Sequence, residues 1–254
     1  MARPRRAAHR GRRPGRRHRC RRVRRPLPGP ARCRAGARGQ PVRAARRALG
    51  LCRRGRVVSH PFRERWNHNS HHYPRLRDAV PATARSHLDV GCGEGTLCRY
   101  VARPGVAVTG VDVDAEVLPR DDDGITYTVA SAEDLPFDDG SFDAVTLVMV
   151  LHHVDARRGL TEAARVLAPG GLLQVLGTGR FRGLRDVPFE VRDVLTHQVM
   201  SRRTVPWEPP TTRLAPESSW DDARSAARDV LPGSTYRRLA LWRYLVSWTK
   251  PAPA

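Results

Sequence analysis

The chain has 254 residues and a formal net charge of +21, from 46 Lys and Arg side chains against 25 Asp and Glu. Such a balance usually indicates a nucleic-acid partner. Here the average misleads, because residues 1–60 hold 22 arginines and no acidic residue, and the rest of the chain is close to neutral. The longest apolar run, residues 144–151, is far shorter than the roughly 20 residues of a membrane helix. We therefore expect a soluble, cytoplasmic protein with no membrane partner.

Residues 1–60 are predicted to be disordered. They are rich in Arg, Pro, Gly and Ala, so they cannot bury enough surface to offset the entropy of ordering. One interpretation is a basic arm that binds nucleic acid. The other, which we favour, is a misassigned start with the true start near Val57 or Val58. One lysine against 45 arginines indicates a GC-rich genome, in which upstream sequence often translates into Arg, Pro, Gly and Ala.

Residues 61–254 are predicted to form one domain, which opens with a histidine-rich segment. Three histidines lie close together there, His68, His71 and His72. Zinc sites need further Cys or Asp ligands at matching spacing, and none accompanies these histidines. The five cysteines of the chain form neither a Cys-x-x-Cys pair nor an even framework. We therefore predict no metal site and no disulfide framework.

Residues 88–95, Leu-Asp-Val-Gly-Cys-Gly-Glu-Gly, are typical of a buried strand that ends in an acidic, glycine-rich turn before a helix. The glycines fall at alternate positions, Gly91, Gly93 and Gly95. They allow a sharp bend and let a ligand lie against main-chain N–H groups. Asp89 would repel a pyrophosphate, and a dinucleotide-binding turn would place its third glycine at position 96, which is Thr96. The turn therefore favours a ligand that presents a positive group.

Two further strands are predicted at residues 106–111 and 125–129. The first of them ends at Asp112, 17 residues beyond Gly95. An acidic side chain at the tip of the second strand of such a sheet is placed to accept hydrogen bonds from ribose hydroxyls. The spacing favours this role over that of a solvated turn residue.

Residues 141–151 are predicted to be a turn and a fourth strand, apolar enough for the centre of a parallel sheet. A helix that ends at residues 162–167 is broken by Pro169-Gly170-Gly171, and residues 172–176 form a fifth strand. Residues 220–231 have helical spacing, and residues 235–250 suit two strands in a tight hairpin. Strands that alternate with helices indicate right-handed βαβ units in a doubly wound sheet, with ligands at the carboxyl ends of its strands.

The pattern Asp-x-Gly-x-Gly-x-Gly after an apolar strand resembles the first motif of the class I S-adenosylmethionine-dependent methyltransferases, whose cofactor carries an ammonium and a sulfonium. Residues 130–137 resemble the family segment that reads the adenine edge, with Ser131 where many members carry aspartate. Residues 165–171 are again similar to the family. The resemblance implies an α/β fold: a doubly wound, mostly parallel seven-stranded Rossmann-like sheet with an antiparallel terminal strand.

The resemblance also implies S-adenosyl-L-methionine as the cofactor. The residues expected to bind it are Tyr73, Asp89, Gly91, Cys92, Gly93, Gly95, Asp112, Val113, Ser131, Ala132, Glu133, Val148 and His153. Residues 61–80 are expected to fold over the cofactor, with His72 and Tyr73 as covering side chains. The insertion at residues 181–217 is expected to form a substrate lid. Within it, the amphipathic stretch of residues 181–203 is predicted to have an apolar inner face, formed by Phe189, Val191, Val194 and Leu195.

We expect transfer of a methyl group to a small-molecule acceptor by a monomer or homodimer. If the acceptor atom is a hydroxyl or an acidic carbon, a base must remove its proton. His152, just beyond the fourth strand, is the candidate for that catalytic role. The competing interpretation of His152 is a histidine that only hydrogen-bonds the backbone at a helix start.

Two other functions stay open at the level of sequence. A nucleic-acid methyltransferase would use the basic arm to hold phosphate and a pocket for a flipped base. Amino-directed DNA enzymes of this fold carry Asn/Asp-Pro-Pro-Tyr/Phe after the fourth strand, whereas this chain has Met-Val-Leu-His-His at residues 149–153. Nucleic acid is therefore not the expected partner. The third possibility is a non-catalytic, basic RNA-binding protein with a vestigial cofactor fold.

Overall fold

The computed structural model of the chain describes residues 60–120, 124–210 and 219–252. The predictions made for residues 1–59 and 211–217 lie outside these ranges. Among the described residues, no helix has both the length and the apolar character needed to cross a bilayer.

The described strands form one seven-stranded sheet. Their bounds are β1 (Ser86–Val90), β2 (Ala107–Asp112), β3 (Thr126–Val129), β4 (Phe142–Val148), β5 (Leu167–Gly177), β6 (Thr235–Leu239) and β7 (Arg243–Thr249). The order across the sheet is β3-β2-β1-β4-β5-β7-β6. Strands β1 to β5 pair in parallel, while β7, the last strand of the chain, runs antiparallel to both β5 and β6. The predicted α/β fold with its antiparallel terminal strand is confirmed.

Helices cover both faces of the sheet. Their bounds are α1 (Tyr73–Ala79), α2 (Thr96–Val101), α3 (Ala156–Val166), α4 (Val187–Ser201) and α5 (Trp220–Val230). The α3 and α5 helices bury their apolar stripes with Leu88, Val145 and Leu173 in the larger core cluster. The α1 and α2 helices contribute to a second cluster with β2 and β7. Asp155 caps the start of α3, and a capping box of Ser219 and Asp222 starts α5.

The strand order reverses between β1 and β4. From β1 the sheet grows one way through β2 and β3, and from β4 it grows the other way through β5. In open α/β sheets the crevice at such a switch point, beyond the carboxyl ends of the strands, is where ligands bind. The first glycine turn and the two histidines after β4 both lie at this edge.

The fifth strand begins earlier than predicted. Leu167 pairs with Phe142 before a register shift, so β5 starts at the end of α3 and includes Pro169-Gly170-Gly171. Gly170 has a φ of +77°, and a Cβ on Gly171 would lie 2.8 Å from the carbonyl oxygen of Ala168. These two glycines let the chain form a bulge and remain in the sheet, whereas the sequence predicted a break before a strand that begins at residue 172.

The predicted apolar inner face of the 181–203 insertion is wrong. Val191, Val194 and Leu195 of α4 are exposed, and Phe189 is only half-buried. The fully buried side chain of the helix is Asp193. A carboxylate that faces inward explains the difference, because α4 docks on the β6–β7 hairpin through hydrogen bonds and not through apolar packing.

The tip of that hairpin has an uncommon backbone. Leu241 and Trp242 adopt φ values of +62° and +55°, in the left-handed region that side chains with a Cβ rarely occupy. The Asp193 carboxylate accepts hydrogen bonds from both of their N–H groups, at 3.1 and 3.0 Å. Arg192 pairs with Asp193 at 2.8 Å and also donates to the Leu239 carbonyl oxygen. The helix therefore holds the turn in its strained conformation.

Asp193→Ala should lower the free energy of unfolding by about 3 kcal/mol, because it strands two buried N–H groups and removes a buried ionic partner. Denaturant unfolding followed by tryptophan fluorescence measures the change. The matched control is Asp229→Ala, which removes a carboxylate that pairs with Arg157 at the surface. It should cost less than about 1 kcal/mol. Equal losses in the two variants would show that the hairpin does not depend on Asp193.

Candidate active site

A cavity of about 930 Å³ opens at the carboxyl ends of β1, β2 and β4. Its base is formed by the turn after β1 and the segments that follow β2, β3 and β4. Two segments from outside the sheet, residues 66–73 and 206–209, complete the wall. Small-molecule sites typically measure about 300–1,000 Å³. The volume of the cavity therefore lies at the upper end of the range for small-molecule sites.

The glycine turn forms one side of the base. Gly91 and Gly93 have φ values of +71° and +52°, which a residue with a Cβ adopts only with strain. The N–H of Gly93 donates to the Asp112 Oδ2 at 2.9 Å, so the turn is tied to the end of β2. Asp112 also accepts from the Asp114 N–H at 3.0 Å through its other oxygen. This network fixes the Asp112 carboxylate on the cavity wall.

Asp89 lies on the cavity wall below the turn and is 1% exposed. It accepts hydrogen bonds from the Thr146 hydroxyl at 2.8 Å and from the Cys98 thiol at 3.5 Å. Burial raises the pKa of Asp89 to about 7, although these two hydrogen bonds favour the ionised form. The carboxyl group is therefore poised to change charge near neutral pH when a cation arrives beside it.

The segment after β3 turns sharply at the cavity. The Ser131 hydroxyl accepts from the Glu133 N–H at 3.1 Å, and Glu133 in turn accepts from the Asp155 N–H at 2.7 Å. Ala132 is buried beside them, and Val113, after β2, is 74% exposed. The hydrogen-bonded turn holds Ser131 and Ala132 at the base of the cavity. Val113 also lines the cavity, and most of its surface is accessible to solvent.

The two histidines after β4 both line the cavity, with ring centroids 3.9 Å apart. His152 is half-buried, whereas His153 is exposed. Burial, His153 and Arg243 together lower the pKa of His152 to about 4. Its ring is therefore neutral at pH 7 and has a nitrogen available to accept a proton. The backbone after β4 is irregular up to Asp155, so His152 does not start a helix.

Two chain segments cover the cavity and are joined by backbone hydrogen bonds. The Trp66 N–H donates to the Val205 carbonyl oxygen at 2.9 Å, and the Trp207 N–H donates to the Trp66 carbonyl oxygen at 2.8 Å. A ring nitrogen of His68 lies 3.0 Å from a ring nitrogen of His197, so the segment that contains Trp66 and His68 also contacts α4. These contacts make a continuous cover from segments far apart in the sequence.

A matching family model, described as a methyltransferase domain, covers residues 88–175. An uncharacterized methyltransferase of Mycobacterium tuberculosis is 33% identical over 193 residues, which span 73% of this chain and 98% of that protein.

The chain belongs to the class I S-adenosylmethionine-dependent methyltransferases. A demethylmenaquinone methyltransferase of Tropheryma whipplei is 45% identical over 95 residues, which span 35% of this chain and 39% of that protein. One solved structure, a SAM-dependent methyltransferase of Methanosarcina mazei, aligns with a TM-score of 0.49 and 20% identity over 71% of this chain and 99% of that one. The methyl donor of this methyltransferase is S-adenosylmethionine.

The cavity fits this cofactor in its chemistry. A cationic amino acid end suits Asp89, and a ribose diol suits the carboxylate of Asp112. Gly91 and Gly93 line the same wall in the positive-φ conformation that the turn requires. The predicted cofactor residues that line the cavity are Tyr73, Asp89, Gly91, Cys92, Gly93, Asp112, Val113, Ser131, Ala132, Glu133, Val148 and His153, and the predicted base His152 lines it as well.

Two predicted residues of the methyltransferase lie elsewhere. Gly95 is not on the cavity wall, and a Cβ there would meet the Tyr127 hydroxyl at 2.5 Å, so it serves the packing of α2 against β3. His72 was predicted to cover the cofactor, but its ring is buried and pairs with the Ala240 carbonyl oxygen at 3.0 Å. Burial lowers the pKa of His72 to about 3, which keeps the ring neutral in this apolar setting. Tyr73 alone of the pair faces the cavity.

Sequence reasoning missed a second group of residues that line the cavity, Trp66, Asn69, His197, Trp207 and Arg243. Most belong to the two covers, whose pairing no local pattern reveals. Arg243 has a local signal, since it is the charged residue of β7, whose other residues are uncharged. Among the described residues, no group of three or more His, Cys, Asp or Glu side chains is placed to hold a metal ion.

Gly91→Ala should destabilise the methyltransferase by more than positive φ alone explains. A Cβ at Gly91 would lie 2.4 Å from the Val150 Cγ2, so the turn must shift as well as strain. The control is Gly233→Ala, with a φ of +81° and no described atom within 4 Å of its Cβ. We expect a loss of about 1–2 kcal/mol for Gly233→Ala, the cost of left-handed backbone, and a clearly larger loss for Gly91→Ala. Chemical denaturation measures both, and equal losses would contradict the close approach to Val150.

Proposed function

We propose that this methyltransferase acts on a small-molecule acceptor. The observation that carries the proposal is the cover formed by residues 63–66 and 205–207, whose backbone hydrogen bonds close over the cavity. A bonded cover of this kind suits an acceptor that is enclosed with the cofactor and separated from water. In the same proposal, residues 61–254 form the catalytic domain, with residues 61–80 as its N-terminal cover and residues 181–217 as its lid.

A relative supports this choice of acceptor class. The protein of Tropheryma whipplei is named for methylation of demethylmenaquinone, a small molecule. Nothing in the described ranges favours the nucleic-acid alternative, and the basic segment on which that alternative rests lies outside them. The small-molecule acceptor is therefore the function that the site supports best.

Each proposed cofactor residue would bind a different part of S-adenosylmethionine. S-adenosylmethionine supplies an electrophilic methyl group on a sulfonium. Asp89 would pair with the ammonium of the amino acid end, and Asp112 would accept from the ribose hydroxyls. The Ser131 hydroxyl and the following backbone would read the adenine edge. Tyr73 and Val148, which both line the cavity, would enclose the cofactor.

His152 is the proposed base. Methyl transfer from a sulfonium is an in-line displacement, so the protein contributes mainly alignment and exclusion of water. The acceptor proton must still be removed where the acceptor is a hydroxyl or an acidic carbon. The neutral ring of His152 lines the cavity beyond β4 and can take that proton. His153 is more exposed than His152 and is therefore the weaker candidate for the base.

Asp112→Ala should weaken binding of S-adenosylhomocysteine by about 2–3 kcal/mol, since hydrogen bonds to a charged group contribute about 1.5–3 kcal/mol each. This corresponds to roughly a 30- to 150-fold increase in Kd. Calorimetry measures the change, and Asp78→Ala, an exposed carboxylate on α1, is the control. NAD should show no binding. An unchanged Kd in Asp112→Ala would remove Asp112 from the cofactor site.

The affinity for S-adenosylhomocysteine should rise from pH 5.5 to 7.0. The pKa of Asp89 is about 7 in the free protein, and only the ionised carboxylate pairs with an ammonium, so binding must release a proton in this range. The window lies below the range of about 7.7–8.0 in which α-amino groups titrate. Calorimetry in buffers of different ionisation enthalpy counts the proton. Asp89→Asn should give a flat profile, and a flat profile in the unaltered protein would refute the pairing.

The acceptor experiment tests the proposed function directly. Incubation with S-adenosylmethionine and small-molecule extracts of the host should yield S-adenosylhomocysteine and a product heavier by one methyl group in mass spectrometry. With that acceptor, His152→Ala should lower kcat by about 10²–10⁴-fold, the usual contribution of a positioned base. The control, His153→Ala, should lower kcat less than about tenfold. Methylation of RNA or DNA in place of extract molecules would overturn the proposal.

A further inference from the structure

The cavity wall carries charged groups of both signs. The carboxyl groups of Asp89, Asp112 and Asp114 line it together with the proposed cofactor residues. A second group of lining residues has no proposed role with the cofactor. We name this group the acceptor pocket and define it by Trp66, His68, His152, His197, Trp207 and Arg243. Glu208 also lines the cavity and is exposed.

The guanidinium of Arg243 is the charged group of the acceptor pocket. Its Nε donates to the Asn69 Oδ1 at 2.7 Å, and its Nη1 donates to the Trp242 carbonyl oxygen at 3.0 Å. No carboxylate in the described part of the chain forms an ion pair with Arg243; the titratable groups that act on it are Tyr73 and, from further away, Asp193. The described contacts of Nη2 include no hydrogen bond. Arg243 is thus anchored on one edge and available to the cavity on the other.

Arg243 stays charged despite its burial. Burial lowers its pKa to about 10, so it is protonated at pH 7. A buried charge with only neutral partners is costly, and an anion that pairs with it offsets the cost. A planar guanidinium with a vacant edge suits a carboxylate or an ionised hydroxyl.

The other walls of the pocket are flat rings. Trp66 is 2% exposed and packs edge-on against His68, at 5.6 Å between ring centroids. The ring of Trp207 is half-buried, with the Arg65 guanidinium 4.3 Å from its centroid. His197 pairs with His68 across the cover. Aromatic walls favour a planar ligand, whose ring can stack or meet them edge to face.

We propose that the acceptor is a planar molecule with an anionic oxygen, which pairs with Arg243 while its ring packs against the half-buried ring of Trp207. This inference rests on the proposed function, because it assigns the acceptor class of the same site. The anionic oxygen is an anchor and is separate from the atom that receives the methyl group. Arg243 is therefore a residue that positions the acceptor and sets its specificity.

Such an anchor would also strengthen the proposed base. The charge of Arg243 is one of the causes that hold the pKa of His152 near 4, after burial and His153. An anion on Arg243 cancels part of that charge, so the pKa of His152 rises toward its ordinary value when the acceptor binds. In this proposal, acceptor binding at Arg243 would also make His152 a stronger base.

The test uses full-length protein saturated with S-adenosylhomocysteine and two probes of equal shape, 2-naphthoate and 2-naphthamide. Calorimetry should show naphthoate binding at least tenfold more tightly than the neutral amide. Arg243→Gln should bring the two affinities within about twofold by weakening naphthoate alone, and Arg243→Lys should keep part of the preference. The control, Arg228→Gln on the exposed side of α5, should change neither. Equal affinities in the unaltered protein, or no binding of naphthoate, would overturn the proposal.

A second comparison tests whether the anion that pairs with Arg243 is the carboxylate of the cofactor itself. Arg243→Gln should bind S-adenosylhomocysteine and 5′-methylthioadenosine, which lacks the amino acid part, as tightly as the unaltered protein does. A loss of tenfold or more for S-adenosylhomocysteine alone would show that Arg243 holds the cofactor, and the acceptor assignment would fall. The proposed function would survive that result, since it fails only if no small molecule is methylated.

A third measurement needs no substitution at Arg243 and so does not depend on that variant folding. The NMR titration of His152, assigned by its loss in His152→Ala, should shift to higher pH when naphthoate is added and should not shift with naphthamide. A pKa of His152 that is unchanged by naphthoate would contradict the pairing at Arg243.

Discussion

The hydrogen bond between Thr146 and Asp89 joins the two strands on which the rest of the fold is built. Residues 89 and 146 face each other in the β1–β4 ladder, where the strand order reverses. The bond measures 2.8 Å, and both side chains are 1% exposed. His87 Nε2 lies 3.1 Å from the same hydroxyl, and because the hydroxyl proton goes to Asp89, His87 is the donor in this contact. Burial lowers the pKa of His87 to about 4, so its ring is neutral. The Asp89 carboxyl group is thereby held by hydrogen bonds at the centre of the sheet.

This bond explains how a carboxyl group can be kept where burial disfavours its charge. A buried polar group is tolerated when it has hydrogen-bond partners, and Asp89 has two side-chain donors. The glycine turn then leaves β1 directly above it and is fixed to Asp112 at the end of β2. The base of the cavity is therefore held in place by the strands of the sheet. The covers depend on a different set of contacts, mostly hydrogen bonds between polar groups of distant segments.

The sheet and the proposed cofactor residues of the cavity could be predicted because their signals are local. Apolar runs, the glycine turn and the acidic tip at Asp112 each lie within a few residues. The covers could not be predicted in this way. The α4 helix shows apolar residues outward and buries Asp193, because the strained tip of the hairpin needs an acceptor for two N–H groups. His72 looked like a cover residue, yet a carbonyl oxygen 168 residues away holds it in the core. Such contacts between distant residues are set by tertiary packing, which the periodicity of one segment does not encode.

The proposed acceptor pocket and the proposed cofactor site come largely from different stretches of the chain. The family match covers residues 88–175, and Trp66, His197, Trp207 and Arg243 lie outside it, whereas His152 lies inside. Substitutions in these flanking segments would alter the proposed acceptor pocket and leave unchanged the strands that carry the glycine turn, so the acceptor could change while the methyl donor stays the same. The same separation offers a route for engineering. Exchange of the flanking segments between relatives would alter the acceptor at little risk to the sheet, provided that the partners of each exchanged segment travel with it.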